Sequence, residues 1–221
     1  RADLGITEVT DEVLSWVDQT PSAHNATSIV GEAPDRLDSG TDLLNFNPVI
    51  DFDGTNQDLI IGSNNTATPP GGILGTATYS NLWSYIVYNP NVLQNSFIFL
   101  ENVSGGNYHN KLQSATVFRQ RMGPTSSQHN IDPTTYANSY GLYTLGSTTA
   151  IGVGNTPTGF QQAIHKEGLV IDSRNPGTAI SSVTGINREM DIGSNGGNRH
   201  LDGQIAEIMV FNETPTALKQ Q

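Results

Sequence analysis

Near the C-terminus, residues 204–211 read QIAEIMVF, and a period-two reading puts Ala206, Ile208 and Val210 on one face. Ile205, Glu207, Met209 and Phe211 then share the other face, with Glu207 the one charge in an apolar run. Such a run predicts a core strand, buried fully on one side and mostly on the other. Asp202-Gly203 ahead of it is a turn signal, and Pro215 suits the first turn of a helix. Residues 45–53 (NFNPVIDFD) place Phe46, Ile50 and Phe52 on one face and Asp51 and Asp53 on the other, with Pro48 acceptable near a strand start. Gly54 closes that run, and residues 57–62 resume as a strand. In residues 9–19 the apolar positions Val9, Val13, Leu14, Trp16 and Val17 fit helix and strand spacing equally.

Further strands are predicted over 82–88 and 96–101, the latter apolar almost throughout and so buried on both faces. Others follow over 116–121, 140–145, 149–153, 161–171 and 182–187, separated by loops at 66–75, 104–107, 124–133 and 154–159. Roughly a dozen short strands and no helix before the C-terminus predict an all-β, two-sheet antiparallel sandwich. No internal repeat or linker divides residues 1–221, so a single domain is expected.

Composition narrows the function. Hydrophobic content is 35% and charged content 14%, which supplies a core but few charges for a helical bundle. The net charge of −11, with only ten Lys and Arg, argues against a nucleic-acid partner. No apolar run approaches the roughly 18 residues of a membrane span, so membrane insertion is not expected. There are no cysteines, which excludes disulfide staples and Cys-based metal or redox sites.

Three stretches carry a family resemblance: RADLG at the start, NPVIDFDGTNQDLIIG in the first third, and MDIGSNGGNRHLDGQIAEIMVFN at the end. Together they resemble laminin-G-like (concanavalin A-like) jelly-roll domains of Bacteroidetes-type secreted surface proteins. The resemblance implies a jelly roll and resolves residues 9–19 as a short loop leading into a strand at 14–18. It also implies a fragment of a longer, exported multidomain polypeptide at the bacterial cell surface, because the chain begins without an initiator methionine or signal peptide. The implied role is non-catalytic adhesion or recognition, with glycan or protein as ligand and the neighbouring domains of the same polypeptide as partners. A structural spacer or exported cargo domain without a ligand is the alternative. A glycan-active hydrolase or lyase is the weakest reading.

Catalytic patterns are incomplete. Glu189-Met190-Asp191 followed by Ser194 resembles the E-x-D-x-x-E motif of laminarinase-type hydrolases, whose two working carboxyls stand about 5–5.5 Å apart. Ser194 occupies the third carboxylate position, so the acid partner is missing. The five histidines, His24, His109, His129, His165 and His200, show no metal-binding spacing. Gln128-His129 with Arg119 and Arg121 supply the residue types of sandwich-fold alginate lyases, but no lyase motif.

Calcium is the expected cofactor, since loop Asp and Asn offer hard oxygens. By resemblance its ligands are Asp3 and Glu207, which such folds place side by side, with Asp18, Asp51 and Asp53 secondary. Sugar platforms are expected among Trp83, Tyr85, Tyr88, Tyr108 and His109, although aromatic residues ordinarily pack inward; Trp16 is assigned to the core.

Overall fold

The computed structural model describes residues 2, 4–28, 30–39, 43, 47–62, 72–79, 81–92, 94–103, 106–114, 117–123, 128–131, 141–148, 161–166, 169–174, 183–196 and 198–212. In chain order the strands are β1 (Ile6–Val9), β2 (Glu12–Trp16), β3 (Ala26–Thr27), β4 (Asp35–Leu37), β5 (Val49–Asp53), β6 (Leu59–Ile61), β7 (Thr78–Tyr79) and β8 (Asn81–Pro90). They continue as β9 (Ser96–Val103), β10 (Gly106–Ser114), β11 (Val117–Gly123), β12 (Gln128–Ile131), β13 (Gly141–Thr148), β14 (Gln161–Lys166), β15 (Leu169–Arg174), β16 (Val183–Ile192) and β17 (Asp202–Phe211). Among the described residues every strand pairing is antiparallel. One layer runs β4-β5-β17-β8-β13-β14-β15. The other runs β1-β2-β3-β6-β16-β9-β10-β11-β12, with β7 also on β16. A bridge between Glu12 and Asp35 joins β2 to β4, so the layers are parts of one curled sheet. The chain is an all-β, two-sheet antiparallel jelly-roll sandwich.

The core fills the space between the layers. Ile50, Phe52, Leu82, Ile86, Tyr88 and Ile205 enter it from the first layer; Trp16, Leu59, Ile98, Phe99, Tyr108, Met190 and Ile192 enter from the second. Each fully buried aliphatic or aromatic side chain contributes about 1.5–3 kcal/mol of transfer free energy, so this seam dominates the stability of the fold. Gly193 turns the chain out of β16 at φ +84, and a Cβ there would collide with the Phe52 ring.

Several strands depart from strict alternation. A β-bulge between Ile205 and Glu207 breaks β17, so Ile205, Ile208 and Val210 face the core together. Ala206 turns instead to the opposite face, beside Val49 and Val87. One inserted residue shifts everything after it by one face, which a period-two reading cannot register. In residues 9–19 the expected strand is present but starts earlier, as β2 at Glu12–Trp16 rather than at 14–18. The short loop before it is the two-residue turn Thr10-Asp11, both at positive φ (53 and 72), which closes a β1–β2 hairpin at Val9 and Glu12. Residues 161–171 hold parts of two strands rather than one, and β12 lies inside the expected 124–133 loop. The 104–107 loop is shorter than expected, because β10 starts at Gly106. Phe46, the strand at 149–153 and the helix start at Pro215 lie outside the described residues.

Candidate functional site

The acidic candidates fall into three settings. Asp3 lies outside the described residues. Its neighbour Ala2 donates its N–H to the Ala206 carbonyl at 2.8 Å, setting the start of the chain alongside β17, where Glu207 is half-buried opposite Val87. Asp18 organises its own loop, accepting the Thr20 N–H and hydroxyl, each at 2.8 Å, and the His24 N–H at 3.0 Å. Partial burial opposes its charged form, but these donors offset that and hold the carboxyl below its ordinary value.

Asp51 sits between Asp35 on β4 and Gln204 on β17, and Asp53 pairs with Asp202. Burial, then Asp35 and Asp202 against a partly offsetting Gln204 hydrogen bond, push the Asp51 carboxyl up. Asp53 Oδ1 accepts the Thr55 N–H at 2.8 Å, an Asx turn. Among the described residues no three His, Asp or Glu side chains are grouped to hold a metal ion.

All five aromatic and histidine candidates are buried. Tyr88 and Tyr108 belong to the core, Tyr108 packing against Phe99 with ring centroids 5.1 Å apart. Tyr85 meets Phe211 edge to face at 5.5 Å, with Trp83 the cross-strand partner of Phe211. The hydrolase-like run takes a structural form. Asp191 is buried and accepts the Gly196 N–H at 3.0 Å, while Ser194 donates its hydroxyl to Asp58 at 2.8 Å. Burial raises Asp191 to about 6, the Gly196 N–H opposes this, and the charges of Asp58 and Glu189 add to it. The Asp191 side chain closes a turn.

A different group comes together on β9–β11, on the side facing away from the core. Tyr108 and Leu112 point inward, so the intervening His109 and Lys111 point outward. The register pairs His109 with Arg121 and Lys111 with Arg119, and pairs Lys111 with Phe97 on the other side. Cross-strand partners share a face, so Lys111, Arg119 and Arg121 lie side by side there with His109. Lys111 Nζ stands 4.6 Å from the centroid of the Phe97 ring and donates to Asn95 Oδ1 at 3.4 Å. The same ring meets His109 edge to face at 5.2 Å. Phe97 also donates its N–H to the Arg199 carbonyl at 3.2 Å, tying the 193–201 turn to this face.

Burial and its neighbours set the charge state of this group. Burial, then the fields of Lys111, Arg121 and Arg119, push His109 down to about 2 and keep it neutral. Burial, then Arg119, Arg199 and Arg121, lower Lys111 to about 8, so it remains a cation at neutral pH. Among the sequence candidates only His109 belongs to this face. Lys111 escaped because β10 (GNYHNKLQS) has just Tyr108 and Leu112 as apolar positions, too sparse a pattern to predict a strand. The sequence offers Arg119 and Arg121 only as residue types; strand register sets them opposite Lys111 and His109.

No family model matches this chain, and no curated protein matches it by sequence. Solved structures do resemble it. The binding domain of botulinum neurotoxin serotype D superposes with a TM-score of 0.51 at 13% identity, over 99% of this chain and 51% of that one. The binding domain of Paraclostridial Mosquitocidal Protein 1 gives 0.53 at 11% identity, over 97% and 49%. The botulinum neurotoxin serotype G binding domain gives 0.51 at 12%, over 94% and 49%. The chain spans about half the length of these structures, and at such identities the likeness shows the fold alone. Among the described residues no helix is long and apolar enough to cross a membrane.

Proposed function

We propose that this chain is a non-catalytic recognition module, one laminin-G-like jelly-roll unit of an extracellular surface protein, whose ligand is a glycan. The carrying observation is the fate of the hydrolase-like motif: Asp191 accepts the Gly196 N–H of a turn, and Ser194, at the motif's third carboxylate position, donates to Asp58, so these residues serve the fold. The fold supports the same reading, because the solved structures it resembles are themselves described as binding domains. Fold alone does not assign function, and sandwiches of this kind carry many sites. A calcium ion would be held beside β17 at Glu207, where the start of the chain meets the last strand.

A glycan array probed with the intact chain tests the proposal. Binding to a restricted set of glycans, without cleavage of those glycans on incubation, is the expected result. Release of oligosaccharide products would overturn the non-catalytic reading, and a blank array would favour the spacer alternative.

A further inference from the structure

We propose that Asn195-Gly196 is a site of self-modification, at which the Gly196 backbone nitrogen attacks the Asn195 side-chain amide with Asp191 as the base. The product is aspartate or isoaspartate at position 195. The inference stands apart from the recognition-module reading and concerns the 193–201 turn that follows β16.

Three observations carry it. The first is the pair itself, the one Asn-Gly step in the chain. Ring closure brings the nitrogen of the following residue onto the asparagine Cγ, and a side chain on that residue obstructs the approach. Gly196 has none, and among the described residues no atom lies within 4 Å of where its Cβ would stand. Its φ of +56 is one that glycine adopts without strain. Asn195 is partly exposed and ties its N–H to the Asn198 carbonyl at 2.8 Å, while its side-chain amide has no hydrogen-bond partner among the described residues.

The second observation is the base. Gly196 donates its N–H to Asp191 Oδ2 at 3.0 Å. That proton must leave before the nitrogen can attack, and a base already in hydrogen-bond reach meets the geometric requirement for taking it. Asp191 is 5% exposed and fixed on β16 between Ile60 of β6 and Leu100 of β9, both apolar. Its charged neighbours are Asp58, just ahead of β6, and Glu189 on β16; Arg199 and His200 of the turn do not act on it. Burial, opposed by the Gly196 N–H and aided by Asp58 and Glu189, raises Asp191 to about 6. It is therefore ionised at neutral pH, yet more basic than a solvated carboxylate.

The third observation is how firmly the turn is held. Gly193 donates its N–H to the Ile98 carbonyl at 3.0 Å, Leu201 to Gly193 at 2.7 Å, and Phe97 to Arg199 at 3.2 Å. The turn is thus anchored to β9 on both sides of Asn195, which keeps nucleophile and base in one geometry.

The reaction needs only water. Asp191 takes the Gly196 proton, the nitrogen bonds to Asn195 Cγ, the Cγ–Nδ2 bond breaks, and Nδ2 leaves as ammonia with the proton that Asp191 returns. Water then opens the five-membered succinimide at either carbonyl. The turn gains a negative charge, and in the isoaspartyl product its backbone also gains a carbon.

Incubation of the intact chain from pH 5 to pH 8, followed by mass spectrometry of the tryptic peptide 189–199, tests the site. Conversion is a gain of about 1 Da with release of ammonia, and should occur at position 195 and spare Asn198 in the same peptide. Its rate should climb as Asp191 ionises around pH 6 and then flatten toward pH 8. A synthetic peptide of residues 189–199, with no fold to hold a base, should instead gain about tenfold per pH unit throughout. D191N keeps an acceptor for the Gly196 N–H but loses the base. It should slow conversion at least about tenfold at pH 7 and melt no lower than the parent, because a buried charge is gone.

An equal or faster rate in D191N would overturn the proposal, by showing that the Asp191 contact restrains the nitrogen instead of activating it. A parent profile that parallels the peptide's would overturn it without any substitution, as would a position 195 that stays asparagine.

Discussion

Glu101 on β9 and Lys111 on β10 are buried ionisable groups on neighbouring strands, and the fold treats them differently. Glu101 is 0% exposed and accepts the Leu74 N–H at 3.0 and 3.3 Å on its two oxygens, together with the Ile73 N–H. Gly72 makes that fit possible: a Cβ there would come within 2.6 Å of the carboxyl group and 2.7 Å of the Arg188 carbonyl. The carboxyl thus fastens the 72–76 turn onto the second layer, while burial, against those donors, raises it to about 8. Lys111 has a ring and one amide oxygen, and its charged neighbours repel it. Where the backbone supplies the partners, a buried ionisable group becomes a structural fastener. Where it supplies few, as at Lys111, the group keeps its charge at neutral pH against a ring and one amide oxygen, at a cost in stability.

The contrast breaks most visibly at Glu101. E101A strands the N–H donors of Ile73 and Leu74 and should cost about 3–4 kcal/mol, read as a fall in the urea midpoint. E101Q keeps an acceptor and tests the proton. The folded value of about 8 lies above the ordinary 4.5, so the folded chain still holds the proton where the unfolded chain has released it. The stabilisation is whole below about pH 4.5 and is lost as pH rises through about 8. The stability of E101Q relative to the parent should therefore climb between pH 5 and 8, on the order of 3 kcal/mol in all. A flat difference would mean that Glu101 is ionised throughout.

Lys111 sharpens the comparison from the other side. K111M replaces an unpaired buried cation by an apolar chain of similar length and should raise stability by about 1–2 kcal/mol by urea unfolding. A destabilised K111M would show that the Phe97 and Asn95 contacts already satisfy the ammonium group. His109 gives the smallest effect at neutral pH and the opposite pH dependence to Glu101. Its folded value of about 2 lies below the ordinary 6.5, so its contribution is present above pH 6.5 and is lost as pH falls toward 2. H109F should be close to the parent at pH 7 and progressively more stable than it from pH 6 to pH 4.

Much of this arrangement was legible in the sequence, element by element. Ile50 and Phe52 face inward and Asp51 and Asp53 do not, as their alternation required. Residues 97–100 are buried on both faces, as an apolar run in a central strand must be. The aromatic candidates also obeyed physics, though as packing: Tyr88 and Tyr108 entered the core, where large rings contribute most area. Lys111 was invisible because its strand is mostly polar, and a single Lys in a polar run reads as surface. The Glu207 face depended on a bulge at the residue before it, which leaves no mark in composition.

The sequence alone determined the fold class, because the period-two patterns and turn residues are local and each points to a strand. It also determined that no disulfide could hold the layers together, leaving the core to do so. The tertiary structure decided which polar residues meet. Lys111 and Arg119 are eight positions apart, Glu101 and Leu74 twenty-seven. Their meeting rests on strand register and on the path of one turn, and register is fixed by the summed packing of whole strands rather than by the residues that it brings together.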